Sequence, residues 1–142
     1  MAVDDVLAQK EADCDWVLQT LIHSANFGLE IGLTLTTGAG IITGTLIGGA
    51  KYMDMQKAAL ESHWGSDELR QSFADVFADW RKRYVPTDEE VTDPTAPIYI
   101  HLKDTRVLVG ERFVPSSSNG MLWRGKLDSI IGFTIGSMSI NR

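Results

Sequence analysis

The stretch that most constrains the fold runs from Ile98 to Gly136, where apolar side chains recur at every second residue. Ile98, Ile100 and Leu102 alternate with Tyr99, His101 and Lys103. Met121, Trp123, Gly125 and Leu127 alternate with Leu122, Arg124 and Lys126, and Ile131, Phe133 and Ile135 with Gly132, Thr134 and Gly136. A period of two sends the first set of each run to one sheet face and the second set to the other. Strands of this kind joined by short turns predict an antiparallel meander with an apolar face. Its cover has to come from upstream.

Upstream, Leu29, Ile31, Leu33 and Leu35 alternate with Glu30, Gly32, Thr34 and Thr36, Thr37-Gly38-Ala39-Gly40 turns the chain, and Ile41 to Ile47 returns as a second strand. Gly44 within that strand predicts a bulge or strong bend, as a small closed barrel requires. Asp4 and Asp5 suit a helix first turn, and Leu7, Cys14, Val17, Leu18, Leu21 and Ile22 recur at helical spacing. A helix over roughly 4–24, ended by Asn26 and Gly28, is expected. Lys51 to His63 reads as another helix, broken at Gly65, with Ser66 capping the next. In that next helix Leu69, Phe73, Val76, Phe77 and Trp80 form one stripe, which Tyr84 extends, and core packing is its expected use. Val85 to Pro97 carries Pro86, Pro94 and Pro97 with four acids and reads as an extended loop. Lys103 to Arg106 is a turn, or a bend within one long strand reaching Val109, and Pro115 to Gly120 is a second connection.

Composition narrows the function classes. A chain of 142 residues with 44% hydrophobic and 23% charged residues can bury a core as one domain. The single Cys14 excludes an internal disulfide and suits a reducing compartment. Asp4 and Asp5 stand where a secretory signal would be basic, and no run is apolar enough to span a membrane. A cytoplasmic protein without membrane contact is expected. The net charge of −6 is uneven: residues 1–26 and 84–96 each carry −4, while residues 97–142 carry +3. Such a balance argues against nucleic acid as a partner.

The search for catalytic chemistry returns little. His23, His63 and His101 share no metal-ligand spacing with Cys14, and no serine lies in a nucleophile elbow. The glycine-rich series from Gly38 lacks the Lys-Ser/Thr ending of a phosphate loop. No enzyme activity, cofactor or metal is expected. The polar residues of the alternating strands are different: Tyr99, His101, Lys103, Arg106, Arg124 and Lys126 can share one face. They form the candidate interaction surface, for an anion or a protein partner. Within the strand Met121 to Leu127, Trp123 and Arg124 point to opposite faces, and the larger apolar area sends Trp123 inward.

Tyr99-Ile100-His101-Leu102-Lys103-Asp104-Thr105-Arg106, Leu122-Trp123-Arg124-Gly125-Lys126-Leu127 and Gly132-Phe133 together resemble the gas vesicle accessory protein U family. That family has an Ile-His-Leu-Lys strand, a variable loop, a Trp-Arg-Gly-Lys strand, then Gly-Phe and a closing strand. The pattern from Gly40 to Thr45 is similar as well, so the resemblance spans most of residues 27–140. It implies a non-catalytic accessory protein of gas vesicle assembly, or of vesicle association and clustering. Its implied partners are the gas vesicle shell or other gas vesicle proteins, with its own copies in a homo-oligomer. At the level of fold the chain also resembles Sm-like small barrels, through Gly44-Thr45-Leu46 and Arg124-Gly125. An RNA-binding oligomer is the alternative this implies, although the long helical insertion and acidic charge depart from that pattern. The expected fold is α+β, mainly β: a small five-stranded SH3/Sm-like barrel with an N-terminal helix. Its expected parts are that helix (1–26), a first hairpin (27–49), a helical insertion between the second and third strands (50–83), an acidic Pro-rich loop (84–96) and the meander (97–142), in a single domain.

Overall fold

The computed structural model describes residues 14–63, 65–88, 96–116 and 119–138. The first helix, α1, spans Trp16–Asn26; Asp15 caps it, its carboxylate accepting from the backbone N–H of Val17 at 2.9 Å. Cys14 therefore lies outside the helix, and the expected turns around Asp4, Asp5 and Leu7 fall outside the described residues. Gly28, at φ 112°, ends the helical path as expected. The hairpin follows as β1 (Ile31–Thr37) and β2 (Gly40–Ile47), closed by a turn in which Thr37 Oγ1 donates to the Gly40 carbonyl.

The insertion is a helical hairpin, α2 (Gly49–His63) and α3 (Asp67–Arg81), ending in one 3-10 turn, Lys82–Tyr84. Gly65 takes φ 48° between the helices, and Ser66 Oγ caps α3 by accepting from Leu69 N–H at 3.3 Å. The chain re-enters the sheet as β3 (Tyr99–Val109), β4 (Arg112–Val114), β5 (Met121–Lys126) and β6 (Ile130–Ile135), with a 3-10 turn at Leu127–Ser129.

The sheet is antiparallel and six-stranded, in the order β4-β3-β2-β1-β6, with β5 on β3. It corrects the expected five-stranded barrel in two ways. An extra strand, β4, folds back on β3 across Gly110 and Glu111, where Gly110 has φ 62°. The sheet also stays open, because β5 pairs with β3 while β6 crosses to β1. The last strands are therefore not a meander. They flank a curled sheet whose outer members are joined by a single 3-10 turn, Leu127–Ser129, with Leu127 N–H bonded to the Ile98 carbonyl at 2.8 Å.

Register explains the curl. Pairing of β2 with β3 slips between Thr43 and Thr45, at Gly44, as its glycine predicts. A Cβ there would sit 3.0 Å from the Lys103 carbonyl. On the β3 side Asp104 adopts φ 51°, so Lys103–Arg106 is a bend inside one long strand. A second slip, between Thr36 and Thr37, lets Ile130 pack inward and leaves Ile131 73% exposed. Of Ile131, Phe133 and Ile135 only Phe133 packs against the core.

One face of the sheet meets α1. Leu18, Ile22 and Ala25 pack there against Leu33, Leu35, Ile42, Leu46, Ile100, Leu102 and Leu127, with Trp123 at the margin. Each such Leu or Ile contributes about 1.5–3 kcal/mol by leaving water. The other face is covered too, by α2 and the 3-10 turn, so Ile47, Met53 and His101 are also buried. Farther along that face Thr34 Oγ1 donates to the Gly136 carbonyl at 2.8 Å, and Thr43 Oγ1 accepts from Met138 N–H at 2.6 Å. With the Thr34 proton spent on Gly136, the Thr43 hydroxyl proton is shared between Thr34 Oγ1 at 3.1 Å and the Leu33 carbonyl at 3.4 Å.

The aromatic stripe of α3 is not core. Leu69, Phe73, Val76 and Trp80 are each about two-fifths exposed, and Ala74 is the buried residue of this helix. The physical reason is that the sheet's second face is already filled by α2, which leaves α3 as the outer arm of the hairpin.

Candidate functional site

The candidate residues lie on β3 and β5. The β3–β5 register sets Tyr99 opposite Lys126 and His101 opposite Arg124, while Leu102 opposite Trp123 belongs to the core face. Trp123 and Arg124 thus take opposite faces, as alternation requires. Gly125 accommodates the Trp123 ring, since a Cβ there would lie 2.1 Å from indole Cη2. That closeness is to the chain's own core.

Three of the six candidates converge. Arg124 Nη1 donates to Tyr84 Oη at 2.6 Å and to His101 Nε2 at 2.8 Å, and its Cζ lies 3.9 Å from the centre of the Tyr99 ring. The Tyr52 and Tyr84 rings pack against the imidazole, with ring centres 4.7 and 5.0 Å away. His101 is not a surface residue, as the alternation alone suggested. It is 2% exposed, because the insertion roofs this face. Burial, and secondly the Arg124 charge, lower its pKa from 6.5 to about 3. A guanidinium only donates, so Nε2 accepts and the proton of the neutral ring sits on Nδ1. His101 is accordingly an orienting acceptor for Arg124, with its basic nitrogen already occupied.

The other three are dispersed. Lys103 lies 2.5 Å from Glu30, whose second oxygen pairs with Lys51. The hydrogen bonds from Lys103 and then Lys51 hold the Glu30 carboxyl below its ordinary range, and the bond to Glu30 raises the Lys103 pKa. Arg106 turns to the β4 hairpin, its Nε donating to the Pro115 carbonyl at 2.9 Å. Lys126 pairs with Asp128 at 3.5 Å. One continuous cationic face does not form.

What forms instead is a groove whose other walls the alternation could not name. A cavity of about 290 Å³ lies between the end of α1 (His23, Phe27), the 3-10 turn and Tyr99, and one of about 350 Å³ between Tyr52, Phe77, Trp80 and Arg124. Arg83, Tyr84 and Tyr99 line both, so they read as one groove with a tyrosine ridge. Its sequence signals were the pair Gly48-Gly49 and the spacing of Tyr84 four residues after Trp80. A Cβ on Gly49 would lie 2.3 Å from the Tyr84 ring, so only glycine lets that tyrosine seat on the start of α2.

Among the described residues no group of three or more His, Cys, Asp or Glu side chains could hold a metal ion, and no helix is long and apolar enough to cross a membrane. Aromatic faces beside guanidinium groups are recognition chemistry. No curated protein and no solved structure matches the chain. The family described as Gas vesicle protein GvpU-like matches it over residues 15–138. With a match of that extent, through both the hairpin and the β3–β6 block, the chain belongs to the GvpU-like family of gas vesicle proteins.

Proposed function

We propose that this protein is a non-catalytic accessory factor of gas vesicles, acting in the cytoplasm in their assembly or in their association and clustering. The observation that carries the reading is the family match, joined to a surface fitted for protein contact: the α3 stripe and the tyrosine–arginine groove beside it. Tyr99 and Arg124 supply that surface from the original candidates, and His101 positions Arg124 from beneath. The partners in this reading are shell or other gas vesicle proteins and further copies of the chain. Repeated weak patches on an oligomer, meeting a repeating surface, gain avidity that a single patch lacks.

Gas vesicles rise on centrifugation, which separates bound from free protein. Wild-type protein mixed with purified vesicles is expected in the floating layer, and the doubly altered Trp80→Ser/Arg83→Glu protein is expected to stay behind. Wild-type protein that stays behind as well would sink the proposal.

A further inference from the structure

Four exposed apolar side chains of α3 lead along one helix face to a groove that holds two guanidinium groups. Leu69, Phe73, Val76 and Trp80 form the face, and Trp80, packed edge-on against Phe77 at 5.4 Å, is also a wall of the groove. Arg83 and Arg124 line the same groove. The neighbouring cations are occupied: Arg81 binds Asp54 at 2.9 Å and Lys82 lies 3.8 Å from Asp79. Among the described residues neither Arg83 nor Arg124 has a carboxylate within ion-pair distance. Arg124 spends Nη1 on Tyr84 and His101, and its remaining donors make no hydrogen bond among the described residues. In a chain of net charge −6, two guanidiniums that have no ion-pair partner among the described residues and are set among aromatic rings can hold a carboxylate from outside.

From this we infer that the groove docks an acidic peptide segment of a partner protein. Apolar side chains of the segment lie along Val76 and Trp80, and one or two carboxylates beside them reach Arg83 and Arg124. Charge complementarity sets both the chemistry and the direction. Asp67 and Glu68 stand at the start of α3 and Arg83 just beyond its end, so the acids of the segment lie toward the α3 C-terminus. Arg124 is held ready by His101 and Tyr84, which lowers the ordering cost of a charge-assisted bond. A nucleic acid would also offer anions and stacking faces. It would need a longer cationic track than two side chains and would meet repulsion from the rest of the protein.

This inference deepens the proposed function, resting on its contact surface while naming what the surface binds. The immobilised full chain is panned against a displayed library of random peptides about twelve residues long. The resulting consensus peptide is then synthesised in its acidic form and with Asn and Gln replacing Asp and Glu. Fluorescence anisotropy measures both forms, with oligouridine RNA as a third probe. The expected consensus sets Asp or Glu beside aliphatic or aromatic residues. Arg83→Glu and Trp80→Ser, both at exposed positions, are expected to weaken the acidic peptide at least about tenfold, and the amide form to bind about tenfold more weakly. A library without consensus, a consensus without acids, variants that bind as wild type does, or RNA bound more tightly than peptide would each overturn the inference. Vesicle flotation keeps the two claims apart. Peptide binding with no flotation upholds the groove and removes the vesicle reading, whereas flotation without peptide binding removes this inference alone.

Discussion

Among single residues, His101 has the widest consequences, because burial has converted the one side chain that ordinarily titrates near neutrality into a fixed acceptor. Its folded pKa of about 3 lies below the ordinary 6.5. The unfolded chain therefore takes up a proton that the folded one refuses, and His101's contribution to stability is complete above pH 6.5 and shrinks as pH falls from 6.5 toward 3. Between pH 7 and pH 5 the wild type should lose about 2 kcal/mol more than His101→Gln in urea unfolding, and parallel losses would contradict the assignment. Arg124→Ala strips the buried Nε2 of its donor and should cost about 1–3 kcal/mol, measured the same way. Arg124 is thus both a structural and a surface residue, which alternation by itself could not tell. Gly125→Ala drives a methyl into the Trp123 ring, so thermal unfolding should register a loss of about 1–3 kcal/mol.

At the scale of elements, α3 shows how helical periodicity can be right about a stripe and silent about what the stripe meets. Leu69, Phe73, Val76, Phe77 and Trp80 do share a face, and Trp80 is nonetheless 42% exposed. Trp80→Ala should accordingly cost no more than about 1 kcal/mol in thermal denaturation, where a core tryptophan would cost about 3–5. The bulge at Gly44, the break at Gly65 and the cap at Ser66 were each legible, because they depend on backbone freedom and on side chains a few residues away. The strand β4 was not, since it is three residues long and is held by its register on β3. Nor was the inward packing of Ile130, which depends on a slip against β1 nearly a hundred residues earlier.

For the molecule as a whole, the open sheet bears on assembly. Its outer strand β6 pairs only with β1 among the described residues, and it exposes Ile131 and Ile135. An open edge with apolar side chains is commonly satisfied by a second copy, so light scattering should return a multiple of 15.7 kDa at micromolar concentration, and a constant 15.7 kDa would refute self-association. Local chemistry made legible the strand alternation, the helical insertion, the separation of Trp123 from Arg124, and the Ile-His-Leu-Lys and Trp-Arg-Gly-Lys strands that mark the family. Tertiary structure alone decided which faces are covered. An alternating strand states that two faces differ, and His101 became core only because α2, Tyr52 and Tyr84 close over the second face. It alone decided the groove, whose Arg83 and Arg124 stand forty-one positions apart and meet through chain reversal. Burial and long-range register are properties of the packed chain, and no local spacing encodes them.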